Sequence, residues 1–152
     1  MYGHWGANLA VVIATAITVA LAVLVHYEGL RWMSTRLASL HAVRRRKVLF
    51  GVYGVIVLHI VEIWLFALCL WLLMQVQDAG VLSGAAEPGL LDAVYMSATT
   101  FTTLGYGDLV PVGPLRFLIG TETLSGFILI SWSASFLYLE MQEFWRRLDA
   151  RK

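Results

Sequence analysis

In a chain of 152 residues, 59% hydrophobic and 14% charged, a mean hydropathy of +0.74 excludes an ordinary soluble globular domain and implies a single membrane domain. The formal net charge of +1 says little, because in a membrane protein the placement of charges matters more than their sum. The single cysteine, Cys69, cannot close an intrachain disulfide and reads as a small packing residue inside an apolar run. No hydrolytic triad and no spaced cluster of metal ligands is visible, so neither an enzyme nor a cofactor is expected, and nothing suggests a nucleic-acid partner.

The first apolar segment runs from about Asn8 to His26, close to the roughly 20 helical residues that cross about 30 Å of hydrocarbon. It contains Thr15 and Thr18, which can bond back to their own helix. The leader "MYGHWGAN" carries no positive charge, so a retained helix is expected rather than a cleaved signal. The segment has no arginines at three-residue spacing, which argues against a charged voltage sensor. The connection "RWMSTRLASLHAVRRRK" follows, with Met33, Leu37 and Leu40 at helical spacing and Trp32 nearby. It has two readings: an interfacial amphipathic helix whose Arg44, Arg45, Arg46 and Lys47 meet anionic lipid, or charge that only sets topology.

The second apolar segment spans about Val48 to Met74. Glu87, Pro88 and Gly89 then form a turn, and Leu90 to Thr102 makes an apolar stretch too short to span, a half-length helix with Asp92 in its first turn. The third segment covers about Pro114 to Tyr138; Arg146, Arg147, Arg151 and Lys152 follow it. The remaining tail is too short for a ligand-binding domain. Basic residues therefore crowd the first connection and the C-terminus. The positive-inside rule places both in the cytoplasm and puts the N-terminus and the Gln75 to Val112 region outside. That outer region carries Asp78, Glu87, Asp92 and Asp108 and no basic residue, so its field favours cations.

Irregular backbone at membrane depth must be buried in protein or line a watery path. A half-helix also turns its negative C-terminal end toward the membrane interior, where it favours a cation. The stretch after the half-helix, Thr103, Leu104, Gly105, Tyr106, Gly107 and Asp108, resembles the selectivity filter of the potassium channel family, in which carbonyl oxygens replace the ion's hydration shell. The resemblance covers about Val48 to Glu140. It implies K+ sites at Thr103, Leu104, Gly105 and Tyr106, support from Thr102 and Asp108, and four chains around one axis. It also implies that Leu104 and Tyr106 pack behind the filter. Glycines at 105 and 107 suit carbonyls that all face one axis, since alternate residues must then accept unusual dihedrals. Leu104 stands where the family more often has Val or Ile. Tyr95 and Met96 replace an aromatic pair, and Thr99 occupies a position that is acidic in some relatives, so a carboxyl bond to Asp108 is not expected from Thr99.

In the third segment Gly126 reads either as a gating hinge or as a close-packing residue. Ser131, Ser133, Ala134 and Phe136 fall near a possible inner gate. Ionisable residues inside the membrane suggest function, and His59, Glu62 and Glu122 form a candidate buried network, either a pH sensor or a satisfied structural cluster. The expected architecture is an all-α membrane protein with three transmembrane helices and a re-entrant pore helix and filter loop between the second and third. Residues 1–47 hold an extra helix and basic connection, 48–140 the pore domain and 141–152 a basic tail. The expected function is a homotetrameric potassium-selective channel in the plasma membrane. A weakly selective cation channel and a non-conducting regulatory subunit are the alternatives.

Overall fold

The computed structural model describes residues 5–39 and 44–149. Three long helices, α1 (Trp5–Ser39), α2 (Arg44–Leu73) and α4 (Leu115–Asp149), pack together, and a short helix, α3 (Leu90–Phe101), lies against α2 and α4. Each long helix contains a stretch apolar enough to cross a membrane, so the chain is a multi-pass membrane protein with a re-entrant helix between its second and third spans. The centre of the fold is the cluster of Phe66 and Leu70 from α2, Phe101 from α3, and Leu115, Leu118 and Leu129 from α4. Val11 and Ala22 bring α1 onto its flank.

Among the described residues the basic connection divides between two helices, residues 31–39 continuing α1 and 44–47 beginning α2. With 35 residues, α1 runs about 52 Å at 1.5 Å per residue, far more than the hydrocarbon needs, and it continues unbroken through Trp32 and Arg36. Of the apolar stripe, Met33 and Leu37 are buried against protein. Leu30 and Met33 pack with Val55 and Leu58 of α2, and Phe136 and Leu137 of α4 close over them. Lys47 at the start of α2 donates from Nζ to the Leu37 carbonyl at 2.9 Å, fastening the two helix ends. Leu40, Arg151 and Lys152, and the side chains of Arg44, Arg45, Arg146 and Arg147, lie outside the described residues.

Helix α3 begins where the sequence suggests. The Asp92 carboxylate reaches back to accept the Gly89 N–H at 2.8 Å, satisfying a donor that the helix start leaves free. Its buried side carries Ala93, Met96, Ser97, Thr100 and Phe101. One feature falls outside the all-helical reading. Strands β1 (Val81–Ser83) and β2 (Val110–Val112) pair antiparallel, with Leu82 opposite Pro111. This ribbon ties the segment after α2 to the segment that leads from the loop after α3 into α4, and the Leu115 N–H donates to the Ala79 carbonyl at 3.1 Å.

Candidate ion pathway

The end of α3 sets the start of the loop. The Thr99 carbonyl accepts both the Leu104 N–H at 2.8 Å and the Gly105 N–H at 3.0 Å, and the Thr100 carbonyl accepts from Thr103. Carbonyls left open at a helix C-terminus are thus taken up by the loop itself. Beyond that point the backbone alternates. Thr103, Gly105 and Gly107 have φ of 59°, 51° and 79°, in the left-handed region that costs a residue with a Cβ about 1–2 kcal/mol. Alternate handedness at every second residue turns successive carbonyls toward one side of an extended chain. Two of the three positions are glycine; Thr103 accepts the strain.

The loop from Thr102 to Asp108 is exposed throughout in the single chain. Leu104 is 56% and Tyr106 69% exposed, so the packing expected behind the filter is not supplied by their own chain. A Cβ built at Gly105 or Gly107 would meet nothing within 4 Å. Asp108, for which Thr99 offered no partner, is held from a different position: the Tyr95 hydroxyl donates to its carboxylate at 2.7 Å. That bond holds Asp108 below the usual carboxylate range and pushes the Tyr95 phenol up. The Thr99 hydroxyl turns to its own helix and donates to the Met96 carbonyl.

Residues 48–143 match the family model described as "Ion channel", well over half of the chain. The chain belongs to this ion channel family. It is also similar to the inward rectifier potassium channel Kirbac3.1 of Paramagnetospirillum magnetotacticum, 32% identical over 80 residues that make up 52% of this chain and 27% of that protein. The chain therefore spans about a quarter of the length of the curated relative it matches. No solved structure matches it. The family match begins at Val48, so α1 lies outside it.

Around the loop, the buried acidic residues fall into two groups rather than one. Glu62 is fully buried and accepts from both sides: His26 Nδ1 lies 2.7 Å from Oε1 and His59 Nδ1 2.8 Å from Oε2. His26, on α1, was missed by sequence reasoning because it ends an apolar segment 36 residues from its partner. Glu122 does not join this group. Its Oε1 meets the Ser97 hydroxyl of α3, which also lies 2.9 Å from the Ile63 carbonyl. Glu122 Oε2 is buried without a donor among the described residues.

Gly126 is a point of close approach. A Cβ there would lie 2.2 Å from the Phe101 carbonyl oxygen and 2.8 Å from its carbon. The four inner-gate candidates divide between two faces of α4. Ser133 is buried with its hydroxyl 3.5 Å from His26 Nε2, and Phe136 packs among residues of α1 and α2. Ser131 and Ala134 are exposed on the other side, in line with Leu124, Phe127 and Ile128.

Proposed function

We propose that four copies of this chain surround one axis and pass potassium selectively, with Thr103, Leu104, Gly105, Tyr106 and Gly107 supplying the carbonyl and hydroxyl oxygens that replace water around the ion. The observation that carries this reading is the alternation of positive φ at Thr103, Gly105 and Gly107 in a loop that its own chain leaves uncovered. Carbonyls aligned on one side of a single strand cannot enclose an ion, whereas four such strands can. The exposed Leu104 and Tyr106 side chains then gain their cover from a neighbouring copy. The C-terminal end of α3 points its dipole at the base of the filter, where a cation is favoured. Thr102 extends the inner mouth. Asp108, fixed by Tyr95, adds negative charge at the outer mouth. In this assembly the exposed face of α4 through Phe127, Ser131 and Ala134 lines the path below the filter or meets the next subunit.

The charge distribution supports the orientation: the N-terminus and filter mouth outside, the α1–α2 connection and the C-terminus in the cytoplasm, and Arg46 with its neighbours near anionic lipid. The likeness to an inward rectifier potassium channel favours potassium over other cations. The test is ion flux in liposomes of purified protein under a potassium gradient. Potassium flux that barium blocks, exceeds sodium flux and disappears in Gly105→Ala is the expected result. Equal potassium and sodium flux would reduce the reading to an unselective cation channel, and absence of flux at every pH tested would refute conduction.

A further inference from the structure

We propose that His26, His59 and Glu62 form a transition-metal site of the zinc class within the membrane-spanning part of the molecule, joining α1 to the pore domain. Their ligating atoms all lie within 4.8 Å of one another. The two imidazoles come from different helices and aim their Nδ1 atoms at the two oxygens of one carboxylate. A buried ion pair needs only one of these imidazoles. Two imidazoles converging on one carboxylate reproduce the donor set of three-ligand zinc centres, which leave a fourth position for water.

Ligands held at about 2.0–2.1 Å from a tetrahedral ion are about 3.3 Å apart; the three ligating atoms lie within 4.8 Å of one another, and because the 2.7 and 2.8 Å contacts reach different oxygens of Glu62, closing on an ion takes shifts of up to about 1.5 Å, within reach of side-chain rotation. Two nitrogens and one carboxylate suit zinc, cobalt or nickel. They do not suit calcium or magnesium, which take six or more oxygens. A histidine that binds metal through Nδ1 carries its proton on Nε2, and that proton needs an acceptor. For His26 the Ser133 hydroxyl of α4 stands 3.5 Å from Nε2. Full burial of the Glu62 carboxylate adds to the attraction for a divalent cation, since an anion at this depth is costly. His59, with 17% of its side chain exposed, is the way in.

The site touches the conduction machinery on two sides. The His59 ring lies 5.7 Å from that of Phe101, the last residue of α3, and the His26 ring 5.2 Å from that of Trp132 on α4. A bound ion would fix α1 and α2 against both.

The test uses the full-length, tag-free protein, stripped with chelator and titrated with cobalt. The expected result is one cobalt per chain, with the intense visible absorption of four-coordinate cobalt, bleached by zinc, and a thermal midpoint that climbs with zinc concentration. Glu62→Gln and His26→Asn should each weaken binding at least about tenfold, while the exposed Glu28→Gln leaves it unchanged. His59→Cys keeps a ligand in place and should add a thiolate-to-cobalt charge-transfer band, which a purely structural histidine would not produce. Absence of cobalt absorption in the wild-type protein overturns the proposal whether or not the variants fold. So does undiminished binding in Glu62→Gln. Because binding is read without ion flux, failure here is separate from failure of the potassium reading.

Discussion

Replacing Gly126 by Ala places a methyl carbon 2.2 Å from the Phe101 carbonyl oxygen. Non-bonded carbons essentially never approach closer than 3.0 Å, so the contact must open by at least 0.8 Å, the difference of those two distances. The obstacle is backbone and cannot turn aside as a side chain would. Overpacking of this kind costs about 1–3 kcal/mol, against about 1 kcal/mol gained from the better helix propensity of Ala. The expected net is a loss of up to about 2 kcal/mol per chain, multiplied if four chains assemble. Phe101 is also the last residue of α3, so the displacement should carry into Thr102 and Thr103 and, if these belong to the proposed filter, lower potassium over sodium selectivity. Gly120 is the internal control. A Cβ there meets nothing within 4 Å, so Gly120→Ala should be neutral or slightly stabilising.

Thermal midpoints of both variants, followed by size exclusion of detergent-solubilised protein, together with reversal potentials in mixed potassium and sodium, decide the matter. A hinge role for Gly126 makes a different forecast: Gly126→Ala keeps or raises stability and changes only the fraction of time the pore is open. If Gly126→Ala melts no lower than wild type and selects ions as well, the close approach to Phe101 is not what holds α4 in place.

Three further expectations concern the loop and its support. Tyr95→Phe removes the donor that lowers Asp108. The bond contributes fully above the ordinary aspartate pKa of about 3.9 and fades as pH falls through the lower folded value, so in the variant the acid loss of flux should begin at a higher external pH; identical acid limbs would exclude the role. Ser97→Ala leaves the buried Glu122 with neither oxygen partnered, which should cost about 1–3 kcal/mol in thermal unfolding, and adding Glu122→Leu should recover most of that loss. Gly84→Ala sets a Cβ 2.1 Å from the Asp108 carbonyl oxygen at a φ of +112°, and should disturb the outer mouth, seen as faster loss of barium block. An unaltered block would mean that the ribbon does not brace Asp108.

The helices were legible because hydrocarbon thickness imposes their length, and α3 because Glu87, Pro88 and Gly89 open it and Gly105 follows its end. The loop was legible because glycine at alternate positions answers a backbone demand that few other residues meet. The ribbon was not. "VLS" and "VPV" are three residues each, and Pro111 argues against a strand; they pair because the returning loop brings 110–112 beside 81–83. The reach of α1 past His26 was not legible, because charge such as Glu28 and Arg31 ends an apolar segment without ending a helix. The face that α1 presents to the protein did leave a signal. Val11, Thr15, Thr18, Ala22, His26, Leu30, Met33 and Leu37 recur at intervals of three and four and are all buried. The polar members of that stripe among otherwise aliphatic turns marked the side turned away from lipid, and they placed His26 there.

That stripe raises the question of what holds α1, since lipid gives no hydrophobic drive for one helix to join another and leaves packing and polar pairs to do so. Thr15 donates to Val11 in its own helix and adds no bond between helices, while Thr18, which donates to Ala14, meets only the weakly bonding Cys69 thiol of α2. His26 is different, because its partner Glu62 is a fully buried carboxylate on α2. Hydrogen bonds to charged groups contribute about 1.5–3 kcal/mol, and a double-mutant cycle of His26→Ala with Glu62→Ala should return a coupling in that range. Thr15→Val, equally buried and nearly the same shape, should cost well under 1 kcal/mol, because it removes only a bond back to its own turn. The cycle is read as thermal unfolding in metal-free detergent, so that an ion does not inflate it. A coupling near zero would mean that His59 alone holds Glu62 and that the His26 bond does not help to attach α1.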